Sequence, residues 1–155
     1  MLNGKVEKLS QENAMVIANC WKYSEQYSFY DMTADINDYN EFIDERIRGN
    51  NYFQYMDKAE LLGFFSFEIV DNAITLGLGL RPDLTGQGYG KDFMMIIEQY
   101  IVTNFTTIDE IKLSVALFNR RAIKLYQKCG FIRTGESLVE TNKAVYPFIH
   151  MSKNI

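Results

Sequence analysis

Aliphatic side chains occupy every second position in residues 74–81 and again in residues 111–117. A period of two is typical of β-strands that bury one face. The run Leu61–Val70 is rich in aromatic and β-branched residues and predicts a further strand, followed by a tight turn at Asp71-Asn72. These stretches predict an antiparallel hairpin and, later in the chain, another strand.

Helical spacing is clearest in residues 93–101, whose apolar side chains recur at i, i+3, i+4, i+7 and i+8. We expect this helix to end near Asn104. Ser10 predicts the N-cap of an earlier helix that runs toward Trp21. Asn119 predicts the N-cap of a later helix, which Gly130 closes.

The remaining pattern is weaker but completes the order of elements. A helix is predicted from Asp35 to Gly49, with Ile36, Tyr39, Ile43 and Ile47 on one stripe. Short strands are predicted at Lys5–Leu9, Tyr52–Met56, Phe131–Thr134 and Ala144–Met151, and Pro147 places the last strand at an edge or a bulge. We therefore expect an α/β (α+β) fold over residues 1–155, a single domain whose central mixed, mostly antiparallel sheet has helices on both faces.

Residues 21–39 follow no clear period in their first half. The segment is rich in aromatic residues and also carries Glu25, Asp31, Asp35 and Asp38. Two interpretations stay open. The aromatic side chains are either ordinary core or, together with the acidic residues, the lining of a cleft for a cationic amine.

Composition narrows the class of protein. The 155 residues are 47% hydrophobic with a net charge of −4, which fits a packed globule and gives no electrostatic reason to expect nucleic acid. Cys20 and Cys129 form no metal or redox motif, so we expect reduced thiols and no metal. The first seven residues lack the apolar core of a signal peptide, and no apolar stretch is long enough to span a bilayer. We therefore expect a cytoplasmic protein without a membrane partner.

Gly86, Gly88 and Gly90 stand between the alternating stretch 74–81 and the helical pattern. Glycines permit a sharp turn there, and the backbone amides that open the helix are unpaired, so the loop suits an anion. The nucleotide-binding P-loop needs glycine at position 85 and Ser or Thr after Lys91, and both requirements fail. The dinucleotide fingerprint fails as well, because Lys91 occupies the place of its third glycine.

A third pattern fits both halves of this region. Leu80-Arg81-Pro82 and Thr85-Gly86-Gln87-Gly88-Tyr89-Gly90 precede a helix and a strand, and then comes Asn119-Arg120-Arg121-Ala122 with Tyr126 and Gly130-Phe131. The sequence from about Leu61 to Phe131 resembles the Gcn5-related N-acetyltransferase (GNAT) family, and the termini resemble it only loosely. The residues that this resemblance assigns to binding of acetyl-CoA are Gly79, Leu80, Arg81, Thr85, Gly86, Gln87, Gly88, Tyr89, Gly90, Lys91 and Asn119.

The resemblance also implies roles within that set. The pyrophosphate of acetyl-CoA would rest on the amides from Gly86 to Lys91, and the pantetheine arm would pair with the strand edge at residues 79–81. The strand that carries Val115 would splay away and leave a gap for the arm and the amine, which would explain the bare face at Thr75, Gly77 and Gly79. Asn119 would hydrogen-bond the arm. Tyr126 would be the general acid that protonates the departing thiolate, with no covalent enzyme intermediate.

Two departures from the family pattern stand out. Thr85 occupies a position that is usually Arg or Gln, so phosphate contact there is weaker or comes from Lys91. The carboxylate that often serves as general base is absent near Ile74 and Thr75. Glu68 on the partner strand is the nearest candidate, and a chain of water is the alternative. His150, the single histidine, is interpreted as an ordinary strand residue.

The acceptor is the least determined part of the function. The resemblance implies a primary amine, either a protein or peptide N-terminus, as in bacterial ribosomal-protein-alanine acetyltransferases, or a small amine such as a polyamine. It leaves a homodimer open. A non-catalytic acyl-CoA-binding module or sensor is the alternative, because the usual base is missing.

Overall fold

The computed structural model describes residues 2–155, so the first residue of the expected domain 1–155 lies outside the described part. Its strands are β1 Lys5–Lys8, β2 Tyr52–Asp57, β3 Glu60–Val70, β4 Ala73–Leu80, β5 Glu110–Ala116, β6 Ile132–Thr141 and β7 Ala144–Asn154. Its α-helices are α1 Gln11–Cys20, α2 Ile36–Ile43, α3 Glu45–Arg48, α4 Tyr89–Asn104 and α5 Arg120–Lys128. Short 3₁₀ helices span Glu25–Tyr30, Met32–Ala34 and Pro82–Leu84.

All seven strands form one sheet in the order β1-β2-β3-β4-β5-β7-β6. Each neighbouring pair is antiparallel except β4 and β5, which are parallel. The predicted mixed, mostly antiparallel sheet is therefore confirmed. The parallel pair is the one joined through α4, as a crossover connection requires.

Side chains at alternate positions along each strand point to opposite faces of the sheet. On one face, fully buried Phe65 packs with Phe53 and with Phe93 of α4. On the other face, Phe64 packs with Trp21 and Phe42, in the cluster that contains α1. The prediction of helices on both faces is thus confirmed, and it follows from the period of two along β3.

Hydrogen bonds at the helix ends confirm most of the predicted caps. The Ser10 side chain accepts from Asn13 N, and the Asn119 side chain accepts from Ala122 N at 3.1 Å. The helix with the clearest period ends at Asn104, as predicted. Gly130 follows α5 with a φ of 95°, a conformation that glycine adopts without strain.

The stripe predicted between Asp35 and Gly49 is wrong at both ends. Ile36 and Ile47 are 59% and 63% exposed. A break at Asp44, whose carboxylate caps the separate helix α3, takes Ile47 off the stripe, whereas Ile36 is exposed at the first position of α2. The buried residue of α2 is Phe42 instead.

Pro147 does not lie on an edge strand, because β7 runs between β5 and β6. Its position is nevertheless a local edge. The pairing of β5 with β7 ends at Ala116 and Phe148, and Leu117 N then donates to the Pro147 carbonyl. The proline nitrogen faces the same way as that carbonyl, so the reciprocal hydrogen bond to the Leu117 carbonyl is not made and the regular ladder stops there. The bulge lies in β6, between Arg133 and Gly135.

The feature of the sheet that shapes the site is the short contact between β4 and β5. These strands pair only through Ala73, Ile74 and Thr75. Beyond Thr75 they diverge, and residues 76–80 of β4 have a neighbouring strand on one side only. The sheet therefore contains a wedge-shaped gap, as the family resemblance implied.

We predict that Phe65→Ala lowers the free energy of unfolding by about 3–5 kcal/mol, because the side chain is fully buried among aromatic neighbours and leaves a cavity. Chemical denaturation monitored by circular dichroism measures the loss. The control is Leu138→Ala, whose side chain is 74% exposed and whose effect should stay within about 0.5 kcal/mol. Equal losses in the two variants would contradict this assignment of the core.

Candidate active site

The gap between β4 and β5 presents unpaired backbone groups. Arg81 N donates to the Leu62 carbonyl on β3 at 2.9 Å, and successive residues of a strand turn their polar groups to opposite sides. Gly79 and Arg81 therefore use their backbone groups within the sheet. Leu78 and Leu80 direct their backbone N–H and C=O groups into the gap. Of the residues predicted to pair with the pantetheine arm (Gly79, Leu80 and Arg81), Leu80 is therefore the one whose backbone groups face the gap.

One face of β4 carries only small side chains, at Thr75, Gly77 and Gly79, and the structure gives a reason for them that was not predicted. A Cβ on Gly79 would lie 2.5 Å from Phe64 Cε1, and a Cβ on Gly77 would lie 2.8 Å from Ser66 Oγ. Side chains of β3 thus cover this face and leave no room for larger residues on β4. Gly77 and Gly79 nevertheless border the cavity described below, so their small size also leaves space on that side.

The segment of residues 21–39 forms a roof over the gap. The Tyr23 hydroxyl donates to the Leu80 carbonyl at 2.7 Å, and the Tyr30 hydroxyl accepts from Asn119 Nδ2 at 3.0 Å. One tyrosine thus contacts the end of β4, and the other contacts the N-cap of α5, which follows β5. The roof joins the two strands where their own pairing has stopped.

A cavity of about 350 Å³ lies beneath this roof. Its walls come from α1 and the roof, from β3, β4 and β5, and from α5. The lining residues are Ile17, Trp21, Tyr23, Tyr27, Tyr30, Met32, Phe64, Leu76, Gly77, Leu78, Gly79, Leu80, Thr85, Leu113, Ser114, Val115, Asn119, Arg121 and Tyr126. The cavity is therefore mostly aromatic and aliphatic, with one guanidinium at its margin.

The two interpretations of residues 21–39 both hold in part. Trp21 is core at 5% exposure and also borders the cavity. The acidic residues do not border it. Asp31 accepts from Tyr23 N at 2.8 Å, and Asp35 caps α2 and accepts from Asn142 N at 2.9 Å, so these carboxylates hold the segment in shape.

The glycine loop has the conformation that its sequence predicts. Gly86 and Gly88 have φ values of 71° and 89°, and Gly88 is the N-cap of α4. Gly90 is small for another reason, since a Cβ there would lie 2.6 Å from Leu125 Cδ2 of α5. The first-turn amides of α4 thus point outward from a helix end that no side chain caps.

Side chains around the loop differ in what they can contribute. The Thr85 hydroxyl donates to the Pro82 carbonyl at 2.7 Å, so it stabilises the loop itself. Lys91 is exposed in the first turn of α4. The Arg121 guanidinium lies over the Tyr27 ring at 4.2 Å and beside Gly86, which puts a positive charge next to the anion-binding amides.

Asn119 and Tyr126 both border the cavity from α5 and its cap. Asn119 is buried, and its side chain already serves the helix cap and the Tyr30 hydroxyl. Tyr126 is half-buried and packs on Phe131. Burial, with smaller effects from Tyr30 and Cys129, raises the pKa of Tyr126 above its ordinary value. Its phenol therefore stays protonated at neutral pH and remains a proton donor.

The nearest carboxylate predicted as a base is not at this site. Glu68 is exposed and does not border the cavity, and none of the described residues that line it is Asp, Glu or His. Sequence reasoning missed Ser114, because nothing in its position distinguishes it from other polar residues on the outward face of a strand. Its hydroxyl lies 2.7 Å from Nδ1 of His150, which joins a histidine to the wall of the cavity.

The sequence model of the acetyltransferase (GNAT) family matches residues 14–131, which is most of the chain and includes the roof, the gap, the loop and α5. The chain belongs to the GNAT acetyltransferase family. It is an N-acetyltransferase, and acetyl-CoA is its acyl donor. A sequence search of curated proteins finds no match.

Solved structures of acetyltransferases share the fold. Mutant forms of the spermidine/spermine N-acetyltransferase SpeG from Vibrio cholerae are 19% identical over 98% of this chain and 95% of their own, with a TM-score of 0.73. The spermidine N-acetyltransferase from the same organism in complex with CoA and spermine is 18% identical, covering 97% and 95%, with a TM-score of 0.74. The aminoglycoside acetyltransferase AAC(6')-Ib in complex with coenzyme A is 16% identical, covering 98% and 95%, with a TM-score of 0.74.

Two other kinds of feature are not found in the described part of the chain. No group of three or more His, Cys, Asp or Glu side chains among residues 2–155 is arranged to hold a metal ion. No helix within the same residues is long and apolar enough to cross a membrane.

We predict that Tyr23→Phe lowers the free energy of unfolding by about 1 kcal/mol, because the Leu80 carbonyl loses its buried donor. Burial, and then Asp31, raise the pKa of Tyr23, so the hydroxyl remains a donor throughout the neutral range. Denaturation by urea measures the change. The matched control is Tyr39→Phe, which removes an exposed hydrogen bond to Asn19 Oδ1 and should cost less than about 0.5 kcal/mol. A Tyr23→Phe variant as stable as the control would contradict the role of the roof.

Proposed function

We propose that this enzyme acetylates a small primary amine in the cavity between β4 and β5. The observation that carries the proposal is the roof. The hydroxyls of Tyr23 and Tyr30 fasten residues 21–39 across the gap, and the cavity of about 350 Å³ beneath them has a size that suits a small ligand. Solved structures with the same fold include a spermidine/spermine and an aminoglycoside acetyltransferase, which is consistent with this choice.

The residues present fit acetyl-CoA as the donor. The amides from Gly86 to Lys91 form an uncapped helix N-terminus, and the two glycines with positive φ leave it unobstructed. We assign the pyrophosphate to these amides and to Arg121. The backbone groups of Leu78 and Leu80 that face the gap suit the amides of the pantetheine arm, which would continue the sheet as a strand does.

Acetyl-CoA supplies the thioester that the amine attacks directly. On the protein side, a backbone amide of β4 that faces the gap is suited to stabilise the developing oxyanion. Tyr126 is suited to give its proton to the departing sulfur, because its pKa is raised and its phenol is therefore protonated. Asn119 fixes the start of α5 and thereby the position of Tyr126.

The cavity wall suggests how an amine is recognised. Trp21, Tyr23, Tyr27 and Tyr30 contribute aromatic rings, and the bordering residues include no carboxylate. A cationic amine can be held over aromatic faces without an ion pair. We therefore propose an acceptor that has an apolar stem next to its primary amine, and we rank a peptide N-terminus second.

Tyr126→Phe should reduce kcat by about 100- to 1,000-fold while the KM for acetyl-CoA stays within about twofold, because the acid acts only in the transition state. Since the pKa of Tyr126 is raised, activity of the wild type should not fall between pH 7 and pH 9 through loss of its proton. Thiol release with a panel of amines measures both. The control is Tyr100→Phe, a tyrosine that packs against the same core and does not border the cavity. Full activity of Tyr126→Phe would remove the tyrosine from the reaction.

Gly88→Glu should weaken binding of acetyl-CoA by tenfold or more, whereas Gly88→Gln should weaken it far less. Both side chains impose the same strain at a φ of 89°, and a Cβ there meets no atom within 4 Å. The difference between them therefore isolates the repulsion between a carboxylate and the pyrophosphate. Isothermal titration calorimetry measures the two affinities. Equal affinities would place the pyrophosphate elsewhere.

A further inference from the structure

Three polar side chains form a row across β5, β7 and β6 that the proposed reaction has not yet used. Ser114 Oγ lies 2.7 Å from His150 Nδ1, and His150 Nε2 lies 2.7 Å from Ser137 Oγ. Ser114 and His150 are direct cross-strand partners, so the strand register itself sets the first contact. Both imidazole nitrogens are engaged, which fixes the orientation of the ring.

The row lies where two regions meet. Ser114 borders the cavity beneath the roof and also lines a second depression on the same face of the sheet. His150 borders that second depression, where Thr75, Lys112 and Gly135 are also found. A proton that passes from the cavity to Ser114 and His150 can therefore reach solvent without crossing the apolar core.

We propose that His150, acting through Ser114, takes the proton that the acceptor amine must lose before it attacks. This inference rests on the proposed function, because it concerns the amine that the cavity holds. No carboxylate borders the cavity among the described residues, and Glu68 is exposed outside it. The Ser114 hydroxyl is the group on the cavity wall that is hydrogen-bonded to an imidazole, a side chain whose unprotonated nitrogen can accept a proton.

The proton balance is simple when Nε2 carries the hydrogen and donates to Ser137 Oγ. Nδ1 then accepts from the Ser114 hydroxyl. An N–H bond of the ammonium breaks as an O–H bond forms at Ser114 Oγ, and the original hydroxyl proton forms an N–H bond at Nδ1. The amine becomes neutral and the imidazole becomes imidazolium. Nδ1 then returns its proton to Ser114 Oγ as the Ser114 hydroxyl proton passes to solvent in the second depression, which Ser114 also lines, and the starting tautomer is restored.

The charged groups around the histidine are few. On this face β5 brings Lys112, whose Nζ lies 3.9 Å from Glu110 Oε1. The neighbouring β6 contributes Gly135 and Ser137, and the Arg133–Glu136 pair belongs to the opposite face by its register with Met151 and Ile149.

The test is the pH dependence of kcat/KM for the amine in the full-length protein, with wild type, Ser114→Ala, His150→Gln and Ser114→Thr. We expect Ser114→Ala and His150→Gln to be about 100-fold slower at pH 7. Their deficit should shrink toward about pH 10, where a far larger share of the amine is already neutral in solution than at pH 7. Ser114→Thr keeps a hydroxyl and should retain the profile of the wild type. The KM for acetyl-CoA and the free energy of unfolding serve as controls for structural damage.

The outcomes separate the two proposals. An active wild type whose Ser114→Ala and His150→Gln variants are equally active, or are slowed by the same factor at every pH, would overturn the relay and leave the proposed function intact. A wild type that binds acetyl-CoA but acetylates no small amine would overturn the proposed function and the relay with it. A loss of kcat/KM in Ser114→Ala and His150→Gln that is confined to neutral pH, with Ser114→Thr behaving like the wild type, supports both the relay and the proposed function.

Discussion

The parallel pairing of β4 with β5 stops after three residue pairs, and the rest of the site depends on that stop. A strand that loses a neighbour within a sheet leaves backbone donors and acceptors without partners, and such groups are costly when they are buried. The fold keeps β4 in place through its full ladder with β3 and keeps β5 in place through β7. The gap is thus held open by complete pairing on its two outer sides.

The roof provides a hydrogen-bond donor for one of these backbone groups and also forms a wall of the cavity. Tyr23 satisfies the Leu80 carbonyl, and Tyr30 engages Asn119. The acidic residues of the roof shape the segment through backbone amides, as Asp31 and Asp35 show. The same segment therefore accounts for a structural need of the sheet and for the size of the space that an acceptor can occupy.

Much of the framework could be predicted because it is local. The strand predicted at Leu61–Val70 puts the neighbours Phe64 and Phe65 on opposite faces of the sheet, and the spacing of Gly86 and Gly88 predicted a turn that only positive φ allows. The cap at Asn119 is likewise a property of a few adjacent residues. Such features depend on contacts within one turn or one strand, which a single sequence expresses directly.

The parts that escaped prediction depend on contacts distant in sequence. Tyr23 meets a residue 57 positions away, and Ser114 meets one 36 positions away, and neither contact leaves a periodic trace. The helical stripe was wrong at Ile47, because Asp44 begins a separate helix, and at Ile36, which is exposed at the start of α2. The close approach of Phe64 and Ser66 to Gly79 and Gly77 was also not predicted, because it depends on the pairing of β3 with β4.

The central claim is that the unpaired edge of β4 is where the donor binds. Amide hydrogen exchange followed by nuclear magnetic resonance, with and without coenzyme A, tests it most directly. The account predicts that the amides of Leu78 and Leu80 become protected on binding, whereas those of Gly79 and Arg81, already directed to β3, change little. Protection that spares Leu78 and Leu80, or that falls on both sets alike, would contradict it.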